Sequence, residues 1–98
     1  MALRVDPERN EVRALKRVAD WRGRRVLEIG CGDGRLTRRL AALGARVQAI
    51  DPDAALVSKA RKRLPPSFTS RVGFRVGTAD SLEYRAESFD RVVYSWVF

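Results

Sequence analysis

The sequence predicts an α/β fold built on a parallel sheet, and three observations carry that reading. Residues 26–37, Val-Leu-Glu-Ile-Gly-Cys-Gly-Asp-Gly-Arg-Leu-Thr, run from an apolar strand through a glycine loop into a helix. Short apolar segments then alternate with helical patterns, the order that right-handed crossovers turn into a parallel sheet. The third sign is Asp51, an acid at the end of the second strand. In a βαβ unit that position is placed to accept from both ribose hydroxyls of an adenosine.

In chain order, Asp6-Pro7-Glu8 reads as a helix start, with Asp as N-cap, Pro at the first position and an acid in the first turn. Val12, Leu15, Val18 and Ala19 recur at helical spacing, so a packing helix is expected to about residue 20. Trp21-Arg22-Gly23 breaks it, which makes residues 1–24 an N-terminal helix and linker and 25–98 the remainder of one domain. Strand one covers 25–29 and the first crossover helix 34–43, with Leu36, Leu40 and Leu43 buried and Arg35, Arg38 and Arg39 toward water. Gly44 closes that helix. Strand two spans 45–50, Asp53 caps the second helix over 54–64, and Leu56, Val57, Ala60 and Leu64 face inward. The basic end of that helix suits its dipole. Pro65-Pro66 stops it, 67–71 is a surface loop, strand three is 72–76 and strand four 91–94.

The chain has 98 residues, enough for one small domain. Its formal charge of +8 suggests an anionic partner, but the bases, nearly all Arg, are dispersed along the sequence. A nucleic-acid footprint requires clustering on one face, so a solvated surface is the expectation. One cysteine excludes an internal disulfide and fits a reducing compartment. With no histidine and one cysteine, neither a zinc site nor a histidine base is expected, and no metal is. No apolar run reaches membrane-spanning length, so the expectation is a soluble, cytoplasmic chain with no membrane partner.

Gly30, Gly32 and Gly34 allow positive φ and let a ligand lie against bare backbone. The helix behind them directs its first N–H groups at the same place, which suits a carboxylate or other anion. Arg35 stands where the dinucleotide fingerprint needs its third glycine. Glu28, in an otherwise apolar strand, needs a cation or several donors. Together these features suit a ligand carrying both an amine and a carboxylate.

E-x-G-x-G-x-G after a Val-Leu strand resembles the first motif of class I S-adenosylmethionine-dependent methyltransferases, and the chain continues to match. The resemblance covers residues 26–98. It implies a Rossmann-like three-layer fold, with a partial parallel sheet of four strands in the order 3-2-1-4 and an N-terminal helix. It implies S-adenosyl-L-methionine as cofactor, held by Glu28, Gly30, Gly32, Gly34, Asp51 and Pro52. Gly77-Thr78-Ala79-Asp80-Ser81-Leu82 resembles the family's adenine-reading segment, in which Asp80 accepts from the amino group and the backbone at Ala79 helps read the ring. For Asp80, a turn acid bonded to its own backbone stands beside that reading. The F-D-x-V-V strand resembles the fourth motif, which places Tyr94 and Ser95 at the methionine end.

Strand order 3-2-1-4 sets the switch point, where ligands bind in open α/β sheets, between strands one and four. Relatives continue past strand four and build much of the acceptor pocket there, so a cofactor-binding half is expected. Its strand four would lie at an open edge, prone to self-association, and the chain alone would be marginal and inactive. A sulfonium is already an activated donor, so no nucleophilic residue is required; an acceptor needing deprotonation would need a base from the other half, and no catalytic residue is assigned. The acceptor stays open, with a small molecule preferred over RNA. An adenosine-cofactor-binding module without turnover is the alternative, and a nicotinamide-dependent oxidoreductase fragment is disfavoured by Arg35.

Overall fold

Alternation and helical spacing place the elements where their apolar residues can share one core. The computed structural model describes residues 2–4, 20–78 and 88–95. Its strands are β1 (Ala2–Arg4), β2 (Arg25–Ile29), β3 (Arg46–Asp51), β4 (Val72–Val76) and β5 (Arg91–Tyr94). All pairings are parallel, in the order β1-β5-β2-β3-β4. Helices α1 (Arg35–Ala42) and α2 (Ala54–Arg63) form the crossovers from β2 to β3 and from β3 to β4. The four expected strands therefore occupy the expected order, 3-2-1-4.

One expectation is corrected. Among the described residues the sheet has five strands, and β1 pairs with β5 in the register Ala2↔Val92, Leu3↔Val93 and Arg4↔Tyr94. Strand four is thus not the edge of the sheet, because β1 lies outside it. A three-residue segment offers too little alternation to be read as a strand, whereas the unpaired backbone of β5 is a template for one. The expected N-terminal helix lies outside the described residues, except for Asp20, whose carboxylate accepts from Arg22 N–H. Residues 66–68, expected at the boundary of a helix stop and a loop, form a 3₁₀ turn with proline in its first turn.

Side chains from alternate strand positions enter two clusters. Val26, Val47, Val72 and Val93 meet Trp21, Leu36, Leu40 and Ala41 on the helix-bearing face. Leu27, Ile29 and Ile50 lie on the other with Phe89, Val92 and Tyr94. Gly44 ends α1 with φ +96, and its N–H donates to Ala41 O. A Cβ there would come within 3.0 Å of Arg22 Cα, so both conformation and space require glycine. Arg71 adds a second closure, donating to Ala41 O and Ala45 O at 2.9 Å each while lying over the Phe68 ring.

Candidate functional site

The β2–α1 loop is pinned across the end of the neighbouring strand. Gly30 N–H and Cys31 N–H both donate to Ile50 O, at 2.9 and 3.0 Å. Gly30, Gly32 and Gly34 have φ of 83, 56 and 85°, so the turn itself requires left-handed residues. Gly34 N–H returns to Cys31 O at 3.0 Å, and α1 starts without a side-chain cap.

Asp51 fixes this loop from β3. Its Oδ2 accepts from Gly32 N–H and its Oδ1 from Asp53 N–H, each at 2.9 Å. Asp51, only 8% exposed, joins the glycine loop through its carboxylate to the turn that starts α2. Asp53 caps that helix as expected, accepting from Ala55 N–H and Leu56 N–H.

Glu28 is fully buried beneath the loop. Its Oε2 accepts from Ser95 Oγ at 2.6 Å and its Oε1 from Thr37 Oγ1. Two hydroxyl donors, one from α1 and one from the end of β5, thus answer the demand that a buried carboxylate makes. Ser95 Oγ also lies 3.1 Å from Gly30 O, and Ser95 N–H donates to Ile29 O at 3.0 Å. These contacts couple β5 to the glycine loop at the switch point.

Above the loop is a cavity of about 320 Å³, lined by Gly30, Cys31, Gly32, Asp33, Arg35, Leu36, Asp51, Leu56 and Ser95. That volume is at the lower end of the range for small-molecule pockets, about 300–1,000 Å³. A Cβ on Gly32 would meet no protein atom within 4 Å, so the bare main chain there faces open space. A second cavity of similar size, lined by Arg25, Arg46, Gln48, Arg71, Gly73 and Phe89 among others, lies at the amino ends of the strands. Ligand sites of open α/β sheets form at the carboxyl ends, which favours the first.

Burial pushes the Cys31 thiol pKa up, and the charges of Glu28 and Asp51 push it further. The thiol stays protonated and is therefore no nucleophile at neutral pH.

The expected site residues divide. Gly30, Gly32, Asp51 and Ser95 meet on one cavity wall, and Glu28 supports that wall through Ser95. Gly34 is turned elsewhere: a Cβ on it would lie 3.1 Å from Ala60 Cβ and 3.3 Å from Phe74 Cζ, so it allows α1 and α2 to approach. Pro52 is exposed and does not line the cavity. Tyr94 packs with Leu27, Ile29 and Ile50 instead of joining Ser95, because neighbouring strand residues point to opposite faces. Ala79 and Asp80 lie outside the described residues. Thr37 was not anticipated, and its signal was a hydroxyl within the apolar stripe of α1.

The family described as methyltransferase domain matches residues 26–98. The chain belongs to that family. This methyltransferase domain is 42% identical over 74 residues to a magnesium-protoporphyrin O-methyltransferase of Rhodobacter capsulatus, covering 76% of the chain and 32% of the relative. It is also 42% identical over 71 residues to a ubiquinone biosynthesis O-methyltransferase of Methylocella silvestris, covering 72% and 27%. Among solved structures, magnesium protoporphyrin IX methyltransferase from Synechocystis, determined with bound S-adenosylhomocysteine, aligns with a TM-score of 0.71 at 25% identity. That alignment covers 85% of this chain and 37% of the other. The chain thus spans about a third or less of the curated relatives named here.

Proposed function

We propose that this chain supplies the S-adenosylmethionine-binding half of a methyltransferase. The observation that carries the reading is the wall on which bare Gly32 backbone, the Asp51 carboxylate and the Ser95 hydroxyl converge at the switch point. The residues fit the cofactor. Asp51 would hold the ribose hydroxyls, the main chain at Gly30 and Gly32 would lie under the amino-acid portion, and Ser95 would border it. When bound, the sulfonium supplies the methyl group to an attacking acceptor atom and leaves as a thioether.

The protein's part is to orient and to exclude water, which requires no nucleophilic side chain. The protonated Cys31 thiol is consistent with that division of labour. Among the acceptor classes, a small molecule is best supported, since the named relatives are O-methyltransferases of magnesium-protoporphyrin and of ubiquinone biosynthesis. RNA is the second class. A cytoplasmic setting is supported by the sparse use of cysteine, one in the chain, and among the described residues no helix is long and apolar enough to cross a membrane.

Calorimetric titration tests the cofactor assignment. S-adenosylhomocysteine should bind saturably and more tightly than NAD, and Asp51→Ala should weaken it by about 1–3 kcal/mol, roughly 5- to 150-fold. Tighter NAD binding would favour the oxidoreductase alternative, and unchanged affinity in the variant would remove Asp51 from the site.

A further inference from the structure

Three aspartates stand at or just past the carboxyl ends of β2 and β3, and two of them bond to their own turn. Asp51 accepts from the N–H of Asp53, and Asp53 from that of Ala55, each two residues on. This is the usual local bond of an aspartate in a turn or before a helix. The same bond at Asp33 would take the N–H of Arg35, the first residue of α1. Asp33 Oδ2 instead accepts from Arg63 Nη1 at 2.6 Å, at the last position of α2. Arg38 Nη1 donates to Asp33 O at 3.0 Å, so both crossover helices hold this one loop residue, α1 by its main chain and α2 by its side chain. The ion pair is open to water, with side-chain exposures of 50% for Arg63 and 36% for Asp33. Such pairs contribute little to stability. What this one fixes is where the carboxylate points.

Asp33 lines the cavity at the glycine loop, and Arg63 does not. The pair therefore turns a negative charge of the cavity wall toward a cation outside it. The other acid of that wall, Asp51, has its oxygens on the N–H groups of Gly32 and Asp53. We propose, on the cofactor assignment made above, that Arg63 is a positioning residue for S-adenosylmethionine. It keeps the Asp33 carboxylate off the start of α1, where the carboxylate of the cofactor settles. Helix α1 has no acid in its first turn, so its N-terminal N–H groups and partial positive charge are left for an anion. An Asp33 side chain released from Arg63 would take the Arg35 N–H by the local bond that Asp51 and Asp53 make. It would then occupy a donor that the ligand uses and stand beside the ligand's carboxylate as a like charge.

Calorimetric titration of the full chain with S-adenosylhomocysteine and with 5′-methylthioadenosine tests this. The second compound has the adenosine and the thioether but neither the carboxylate nor the amine. Arg63→Gln should weaken S-adenosylhomocysteine binding about fivefold at low salt, the effect of one like charge nearby, and leave methylthioadenosine binding unchanged. Arg63→Gln/Asp33→Asn should recover the affinity of the unaltered chain, because the charge to be held is gone. Arg63→Lys should retain most of that affinity, since it keeps the cation. Unchanged S-adenosylhomocysteine affinity in Arg63→Gln, equal losses for the two compounds, or no recovery on neutralising Asp33 would overturn the positioning role and leave the cofactor assignment standing. Binding of neither compound by the unaltered chain would overturn both.

Discussion

Both oxygens of Asp51 already accept a main-chain N–H, from Gly32 and Asp53 at 2.9 Å each. A carboxylate offers about four lone-pair directions, so two remain for ribose hydroxyls. The same contacts make the residue sensitive to isosteric change. Asp51→Asn would turn an amide NH₂ toward one of those N–H donors, whichever way it is placed. Glu28 differs because its demand is met from inside. Removing it as Glu28→Ala leaves the buried Thr37 and Ser95 hydroxyls without this acceptor and opens a cavity, at about 2–4 kcal/mol. Glu28→Gln keeps one acceptor, and the Ser95 hydroxyl still has Gly30 O at 3.1 Å, so a loss of about 1 kcal/mol is expected. Urea unfolding of the two variants checks this; equal losses would show that the carboxylate is not held by these hydroxyls.

At the scale of elements, two glycines that look alike in sequence do different work. Gly34 has φ +85, and a Cβ there would press on Ala60 and Phe74, whereas a Cβ on Gly32, at φ +56, would meet only open space. Gly34→Ala should therefore lose about 2–3 kcal/mol of stability, combining left-handed strain with displaced packing between the helices. Gly32→Ala should lose only about 1–2 kcal/mol from the backbone while reducing S-adenosylhomocysteine affinity. Thermal melts and titration separate the two; a Gly32 variant that binds normally would take that residue off the ligand wall. The strands and helices themselves were legible because Val, Ile and Leu fall at period two or at helical spacing. The β2–α1 loop was legible because only glycine satisfies its φ values. What escaped was long-range or too short: Arg71 closing α1 from 26 and 30 residues away, and the three residues of β1. Tyr94 was read with its neighbour Ser95, although alternation sends adjacent strand residues to opposite faces.

For the whole molecule, the joining of β5 to β2 decides whether the switch point exists. Arg25 and Asp90 exchange hydrogen bonds there: Arg25 N–H donates to Asp90 Oδ2 at 2.8 Å, and Asp90 N–H donates to Arg25 O at 2.7 Å. The Arg25 N–H, with its guanidinium adding, holds the Asp90 carboxyl below its ordinary value of 3.8. A depressed carboxyl contributes stability that is fully present above the unfolded-state value and lost as pH falls through the folded-state value. The stability gap between the unaltered chain and Asp90→Asn should accordingly be constant near neutrality and shrink below about pH 4. Urea midpoints across that range measure it, and a gap that persists at low pH would mean the contact does not depend on charge.

Two cavities of similar size lie at opposite ends of this sheet, and the proposed cofactor chemistry belongs to only one of them. Amide-resolved NMR titration with S-adenosylhomocysteine distinguishes them most directly. Shifts concentrated at Gly30, Cys31, Gly32, Asp51, Asp53 and Ser95 are the predicted result. Shifts at Arg25, Arg46 and Gly73 instead, or none at either end, would contradict the assignment of this loop as the cofactor's seat.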